Sequence, residues 1–132
     1  TFQFHRAPGV WSSMAELVLF HNPRCSKSRA ALALLTDRGV EVDVVRYLDS
    51  PPTRAELREV IDGLDGSPRM LVRTGEVAFA ESGVDRATLD DPDVVADLLA
   101  QHPSLIERPV LISGTQAVIG RPPERVLELL EP

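Results

Sequence analysis

The sequence predicts an α/β fold in which a β-α-β unit and a β-β-α unit are separated by a mostly helical segment, residues 53–105. Short apolar runs typical of buried strands flank this segment, and apolar residues recur at helical spacing inside it. A length of 132 residues fits one domain, with the 43% hydrophobic and 26% charged residues of an ordinary globular protein. We assign this domain to residues 14–132. Residues 1–13 have no helical or strand periodicity, and we expect a flexible N-terminal extension there, with a short ordered arm as the alternative.

The first half of the domain has the pattern of a β-α-β unit. Leu17–Phe20 is an apolar run that predicts a buried strand, and Ser26–Asp37 has the apolar stripe of an amphipathic helix. Gly39 is a helix-ending signal, and residues 42–47 predict a second strand. Because a helix joins the two strands, we expect them to be parallel with a right-handed crossover.

The helical segment carries its own boundary signals. Thr53 and Glu56 have the spacing of a capping box at the start of a helix. Asp91 or Asp93 is a candidate N-cap for a later helix. The stretch between them is less regular, and we expect only a short helix around Met70.

The second half of the domain predicts a hairpin followed by a helix. Residues 110–112 and 117–119 are short apolar runs with strand character, and residues 113–115 have the composition of a turn. Pro122 and Pro123 suit the start of a final helix, whose apolar residues again recur at helical spacing.

The composition argues against several classes of protein and site. The net charge of −6 argues against a nucleic-acid or anionic-membrane surface, and no apolar run approaches the ~20 residues of a membrane span. With one cysteine, no disulfide can form within the chain, and residues 1–13 lack the apolar region of a signal peptide. We therefore expect a cytoplasmic protein. The sequence has no Cys/His set for zinc and no Gly-rich phosphate loop, so we expect neither a metal nor a bound organic cofactor.

Cys25 is the candidate reactive residue because it lies between a predicted strand and a predicted helix. Unpaired N–H groups and the dipole at a helix N-terminus stabilise a thiolate and can bind an oxyanion. The basic and hydroxyl-bearing neighbours that would assist are His21, Arg24, Ser26, Lys27, Ser28 and Arg29. A lone cysteine is more often a small buried hydrophobic residue, but these polar neighbours favour a reactive thiolate.

Two familiar cysteine motifs are absent. Ser28 occupies the position of the second cysteine in Cys-x-x-Cys, which excludes an ordinary dithiol oxidoreductase. A phosphatase-type loop needs an arginine six residues after the cysteine, and Ala31 stands there. The pattern therefore indicates a single nucleophilic thiolate that meets an anion.

Four segments together resemble the arsenate reductase family that uses glutathione and glutaredoxin. They are residues 20–29, 69–73, 107–110 and 119–124, in the family's order along the chain. The resemblance extends from about residue 16 to residue 130. It implies a thioredoxin-like fold with a helical insertion between the β-α-β and β-β-α halves.

The resemblance also implies roles for individual residues. Cys25 corresponds to the family's nucleophile, and His21 to a histidine that helps to lower the pKa of that nucleophile. The three positions that match the family's oxyanion-binding arginines are Arg73, Arg108 and Arg121, and the hydroxyls of Ser26 and Ser28 are further candidate donors. The peptide bond between Arg108 and Pro109 would be cis. Each arginine could instead be an ordinary surface charge, and His21 could simply pair with backbone.

The activity implied by the resemblance is reduction of arsenate to arsenite. A chain with one cysteine needs an external thiol to complete the cycle. The family implies glutathione, or another low-molecular-weight thiol, together with a glutaredoxin-like partner. Two alternatives remain. One is a non-enzymatic, redox-responsive regulator that forms a mixed disulfide at Cys25, as in a related branch whose Cys-x-x-Cys this chain lacks. The other is reduction of a different thiol adduct.

Overall fold

The computed structural model describes residues 17–130, which form a four-stranded sheet between two layers of helices. In the spatial order β2-β1-β3-β4, the strands are β1 (Leu17–Phe20), β2 (Asp43–Val45), β3 (Val110–Ser113) and β4 (Gln116–Ile119). β1 is parallel to β2 and antiparallel to β3, and β3 is antiparallel to β4. The predicted extension at residues 1–13 lies outside the described residues.

The helix α1 (Ser26–Asp37) joins β1 to β2, as its apolar stripe predicts. Gly39 has a φ of 72°, in the left-handed region that glycine adopts without strain, and it ends the helix at the expected place. On the inner side of α1, Ala31 and Leu35 are fully buried and share one core with Leu19. Burial of a leucine side chain of this kind contributes about 2 kcal/mol to stability.

The opposite face of the sheet is covered by the helical insertion. Its α-helices are α2 (Arg54–Gly63), α3 (Val77–Ser82) and α4 (Pro92–Gln101), and its 3-10 turns are Pro68–Leu71, Arg86–Thr88 and Pro103–Leu105. The predicted capping box is present, with the Thr53 N–H donating to Glu56 Oε1 at 2.9 Å and the Glu56 N–H to Thr53 Oγ1 at 3.1 Å. Asp91 caps α4 by accepting the N–H of Asp93 at 2.9 Å.

Alternate side chains of β1 face the two cores, because successive residues of a strand point to opposite faces. Val18 and Phe20 pack with the helical insertion, and Leu19 packs with α1. The predicted element order is therefore confirmed, with the insertion lying between the two β-containing halves. Within residues 17–130, no helix combines the length and the apolar character needed to span a membrane.

The end of β2 and the type of the final helix differ most from the sequence prediction, whereas β3 and β4 are each one residue longer than predicted. β2 ends at Val45, and Tyr47 lies in the turn that follows, yet Tyr47 is only 1% exposed. Its ring packs on Phe20 with 6.3 Å between the ring centroids, which explains an apolar pattern that continues past the strand. The final helix, Pro123–Leu130, is of the 3-10 type, with Val126 buried against α1 and the sheet.

Candidate active site

Cys25 is the N-cap residue of α1, where the loop after β1 turns into the helix. Its C=O accepts the N–H of Arg29 at 3.0 Å, and its side chain is partly exposed. Burial alone raises the pKa of the Cys25 thiol. The backbone N–H groups of Ser28 and Lys27 and then the guanidinium of Arg108 act in the opposite direction, and the pKa lies below that of an ordinary thiol. The site therefore favours the thiolate.

Side-chain hydrogen bonds shape the loop before Cys25. Asn22 Oδ1 accepts the N–H of Arg24 at 3.0 Å, which forms an Asx turn. Arg29 Nη1 donates to the C=O of Pro23 at 3.0 Å. Arg24 and Arg29, both predicted to assist the thiol, thus have structural contacts: the backbone N–H of Arg24 bonds within the loop, and the side chain of Arg29 connects the loop to the first turn of α1.

His21 is buried behind this loop, with its Nδ1 2.7 Å from Ser28 Oγ. The same oxygen accepts the N–H of Asn22 at 3.0 Å. Burial lowers the pKa of His21, and the charges of Arg46 and Arg29 lower it further, so that the imidazole is neutral at neutral pH. The structure thus gives His21 a positioning contact with Ser28, and its role in activating the thiol stays a prediction.

Arg108 lies two residues before β3, and its side chain is 15% exposed. The Arg108-Pro109 bond is cis, as the resemblance implies, and Gly120 packs on Pro109 so closely that a Cβ would lie 2.9 Å from its ring. Arg108 Nε and Nη1 are buried and have no hydrogen-bond partner among residues 17–130. Buried donors normally have partners, so these N–H groups are suited to an acceptor that enters from outside.

A short antiparallel bridge between Val72 and Ile106 brings Arg73 close to Glu107, the residue before Arg108. The N–H of Arg73 donates to the C=O of Leu105 at 2.8 Å, which fastens the helical insertion to the chain that leads into β3. Glu107 follows Ile106 directly, and its N–H donates to the C=O of Leu71 at 2.7 Å.

The three predicted oxyanion-binding arginines surround one carboxylate oxygen, Glu107 Oε1. The nitrogens nearest to it are Arg73 Nε at 3.8 Å, Arg108 Nη1 at 3.7 Å and Arg121 Nη1 at 3.7 Å. Arg121 Nη1 also donates to the C=O of Arg108 at 3.0 Å, and Arg73 Nη2 pairs with Glu76 Oε2 at 2.9 Å. Sequence reasoning included Glu107 in a motif but missed it as a site residue, although its position next to Arg108 was a signal.

Tyr47 is a second site residue that the sequence did not indicate. Its side chain makes a hydrogen bond with the side chain of Asn22, and the charges of Arg108, Arg73 and Cys25 all act on it. Burial raises the pKa of Tyr47 and outweighs the two arginines, so that the pKa lies above the ordinary value and the phenol stays protonated at neutral pH. Tyr47 therefore supplies a neutral hydroxyl between the loop and the arginines.

Comparison with known proteins decides the family. Residues 20–129 match the model described as the ArsC family, a range that includes Cys25 and all three arginines. The chain belongs to the ArsC family. An arsenate reductase of Neisseria meningitidis serogroup A is 43% identical over 118 residues, which cover 89% of this chain and 100% of that protein. An arsenate reductase of Escherichia coli K12 is 36% identical over 117 residues, which cover 89% of this chain and 82% of that protein.

Solved structures of ArsC-family proteins share the fold. The arsenate reductase from Vibrio cholerae aligns with a TM-score of 0.74 at 38% identity, over 85% of this chain and 95% of that one. The predicted fold class, a thioredoxin-like fold with a helical insertion, is therefore confirmed for this ArsC-family chain.

The predicted site residues of this ArsC-family chain fall into two groups. Cys25 and Arg108 are in direct contact, and Arg73 and Arg121 join Arg108 around Glu107. Of the two serines, Ser28 lies with His21 behind the cysteine loop, and Ser26 is exposed at the start of α1. In the part of the chain that the structure describes, no group of three or more His, Cys, Asp or Glu side chains could hold a metal ion.

The two serines predicted as hydroxyl donors differ in position. Ser28 is fully buried, and its hydroxyl already contacts His21 and Asn22, so Ser28 acts on the thiol through its backbone N–H. Ser26 is the first residue of α1 and is exposed. Its role as a donor to an oxyanion stays a prediction.

Proposed function

We propose that this ArsC-family protein reduces arsenate to arsenite at Cys25, with an external thiol as the reductant. The observation that carries the proposal is the contact between Cys25, whose pKa is lowered, and Arg108, whose Nε and Nη1 have no hydrogen-bond partner among residues 17–130. A thiolate is a strong nucleophile, and guanidinium N–H groups bind oxyanions in a bidentate manner. Relatives named as arsenate reductases support arsenate as the anion.

The proposed first step is attack of Cys25 Sγ on arsenic. An As–O bond breaks, and the oxygen leaves as water after it has taken up protons. Arg108, Arg73 and Arg121 hold the remaining oxygens and offset the negative charge that they carry. The product of this step is an arsenic(V) adduct on the Cys25 sulfur.

The proposed second step transfers two electrons to arsenic. An external thiolate attacks the Cys25 sulfur, and the electron pair of the S–As bond stays on arsenic, which becomes As(III) and leaves as arsenite. A second external thiol then attacks the mixed disulfide and restores Cys25. Two thiols are thus oxidised to one disulfide for each arsenate reduced, and no bound metal or organic cofactor takes part in the scheme.

The reducing thiol comes from outside the chain, because Cys25 is its only cysteine. We propose glutathione, or another low-molecular-weight thiol, as the donor, and a glutaredoxin-like protein as the partner that reduces the mixed disulfide. A reduced thiol pool of this kind belongs to the cytoplasm, which is the proposed location. The alternative of a non-enzymatic redox-responsive regulator is not favoured, because relatives that cover most of the chain are named as enzymes.

Arsenite formation by the purified chain tests this function. Arsenate is supplied with each candidate thiol, with and without glutaredoxin, and we expect product only when a thiol is present. Cys25→Ser should reduce the rate to background, because a serine hydroxyl is barely ionised at neutral pH. Wild-type protein alkylated at Cys25 is the matched control and should be equally inactive. If no donor system yields arsenite above the Cys25→Ser background, the assignment to arsenate is wrong, whereas the thiol reactivity of Cys25 would still stand.

A further inference from the structure

A carboxylate lies inside the proposed anion site. Glu107 Oε1 is 3.7 Å from Nη1 of Arg108, and this nitrogen has no hydrogen-bond partner among residues 17–130. A separation of 3.7 Å is too long for a good hydrogen bond. An oxygen of an anion that accepts from Arg108 Nη1 therefore comes within reach of the Glu107 carboxylate.

The backbone holds Glu107 at this position. Its N–H donates to the C=O of Leu71 at 2.7 Å, and its Oε1 accepts the N–H of Arg108 at 3.2 Å. The side chain is 23% exposed, and Arg73 and Arg121 lie on two other sides of the same oxygen. These contacts with the backbone and with two further guanidinium groups hold the Glu107 carboxylate at this position before an anion binds.

An ionised carboxylate accepts hydrogen bonds and cannot donate them. Two acceptors that face each other repel, and the repulsion is stronger when both carry negative charge. Phosphate and arsenate dianions keep one hydroxyl group, which can donate to the carboxylate. The sulfate dianion has the same charge and nearly the same size, but it has no hydroxyl group.

We propose that Glu107 selects oxyanions that carry a hydroxyl group, such as arsenate and phosphate, over oxyanions that carry none, such as sulfate. The carboxylate accepts the hydroxyl proton of the bound anion, while the guanidinium groups donate to its other oxygens. This inference rests on the proposed oxyanion site at Cys25 and Arg108, and it assigns the specificity of that site to a residue outside the cysteine loop.

Protection of Cys25 from alkylation measures anion binding without turnover. The alkylation rate with iodoacetamide is followed against increasing phosphate or sulfate, at constant ionic strength and at a mildly alkaline pH where both anions are dianions. In the wild type we expect phosphate to protect with an apparent Kd at least about tenfold below that of sulfate, because a site built around a substrate hydroxyl rejects an analogue that lacks it.

Glu107→Gln should remove this preference. The glutamine keeps the length of the side chain and the acceptor for the Arg108 N–H, but it removes one negative charge and adds an N–H donor for an anion oxygen. We expect sulfate to bind about tenfold more tightly than in the wild type, with a smaller change for phosphate, so that the two Kd values converge.

Glu76→Gln is the matched control. Its carboxylate pairs with Arg73 at 2.9 Å and is 44% exposed, so the substitution removes the same charge beside the same arginine cluster. We expect both anions to shift in parallel, with the ratio of their Kd values retained. A ratio that falls as much in Glu76→Gln as in Glu107→Gln would show a general charge effect and would overturn the proposal.

Three other results would also overturn it. They are equal protection by phosphate and sulfate in the wild type, an unchanged ratio in Glu107→Gln, and weaker binding of both anions in that variant, which would mark a structural role. Protection by neither anion would remove the oxyanion site along with the proposal. Arsenite formation by a wild type that does not distinguish the two anions would refute the specificity of Glu107 and leave the proposed function standing.

Discussion

Arg108→Lys tests whether the site binds its anion by geometry or only by charge, because lysine keeps the positive charge and lacks the planar fork. Arg108 presents two buried nitrogens, Nε and Nη1, that have no hydrogen-bond partner in the described part of the chain. The planar guanidinium donates from Nε and from Nη1 along different edges, so each nitrogen can give one charge-assisted hydrogen bond to an anion oxygen at its own edge, and a lysine ammonium replaces at most one of the two. Loss of one such bond costs about 1.5–3 kcal/mol. Arsenate-dependent turnover should therefore fall at least about tenfold, the equivalent of about 1.4 kcal/mol.

The assay compares kcat/KM for arsenate at a saturating concentration of the thiol donor. Arg69→Lys is the matched control, because Arg69 lies in the helical insertion, away from Cys25, and pairs with Asp90 at 2.8 Å on the surface. We expect Arg69→Lys to behave like the wild type. The pH dependence of Cys25 alkylation in the same variants separates a loss of anion binding from a loss of thiolate. Wild-type kinetics in Arg108→Lys would refute the geometric reasoning and leave Arg108 a structural residue.

The remaining predictions concern two titrating groups. The rate of Cys25 alkylation plotted against pH should have its midpoint below that of an ordinary cysteine thiol, because helix N–H groups and Arg108 lower the pKa; a midpoint at or above about 8.5 would contradict this. Burial lowers the pKa of His21 in the folded chain, so the unfolded chain binds more protons below about pH 6.5. The free energy of unfolding should therefore fall as the pH drops from neutrality through that range, and it should fall less in His21→Asn. Chemical denaturation at several pH values measures both proteins, and parallel curves would argue against a neutral buried His21.

The parts of the fold that the sequence predicted best are those with local signals at both ends. The bounds of β1 and α1 agree with the prediction, because a Pro-containing loop separates the two elements and Gly39 ends the helix. The capping box at Thr53 is likewise a signal that lies within four consecutive residues. Such boundaries depend on backbone chemistry that neighbouring residues decide.

The errors arise where an apolar pattern has more than one physical cause. Tyr47 continues the apolar pattern of β2, but it is buried by Phe20 and by its contact with Asn22 instead of by strand pairing. Helical spacing likewise cannot distinguish an α-helix from the 3-10 turns of Pro123–Leu130, because both bury one side of the chain. In both cases the burial was predicted and the backbone conformation was not.

The composition of the site depends on contacts that are remote in sequence. Basic residues next to Cys25 suggested that local charge lowers its pKa, but the guanidinium that acts on the thiol belongs to Arg108. Arg29 instead donates to the C=O of Pro23. The position of Glu107 depends on the bridge between the helical insertion and the chain before β3. No local pattern in the sequence indicates that these two segments pair.

Glu107 also explains how three guanidinium groups can lie together before any anion arrives. Like charges in a partly buried site repel, and one shared carboxylate oxygen within 3.8 Å of all three offsets that repulsion. The offset is incomplete, because Arg108 Nε and Nη1 still have no hydrogen-bond partner among residues 17–130. The cluster is thus held together by an internal acceptor, while donors on Arg108, in contact with the Cys25 thiol, are left for an external acceptor. One carboxylate therefore serves both to assemble the arginines and to limit which anions they bind.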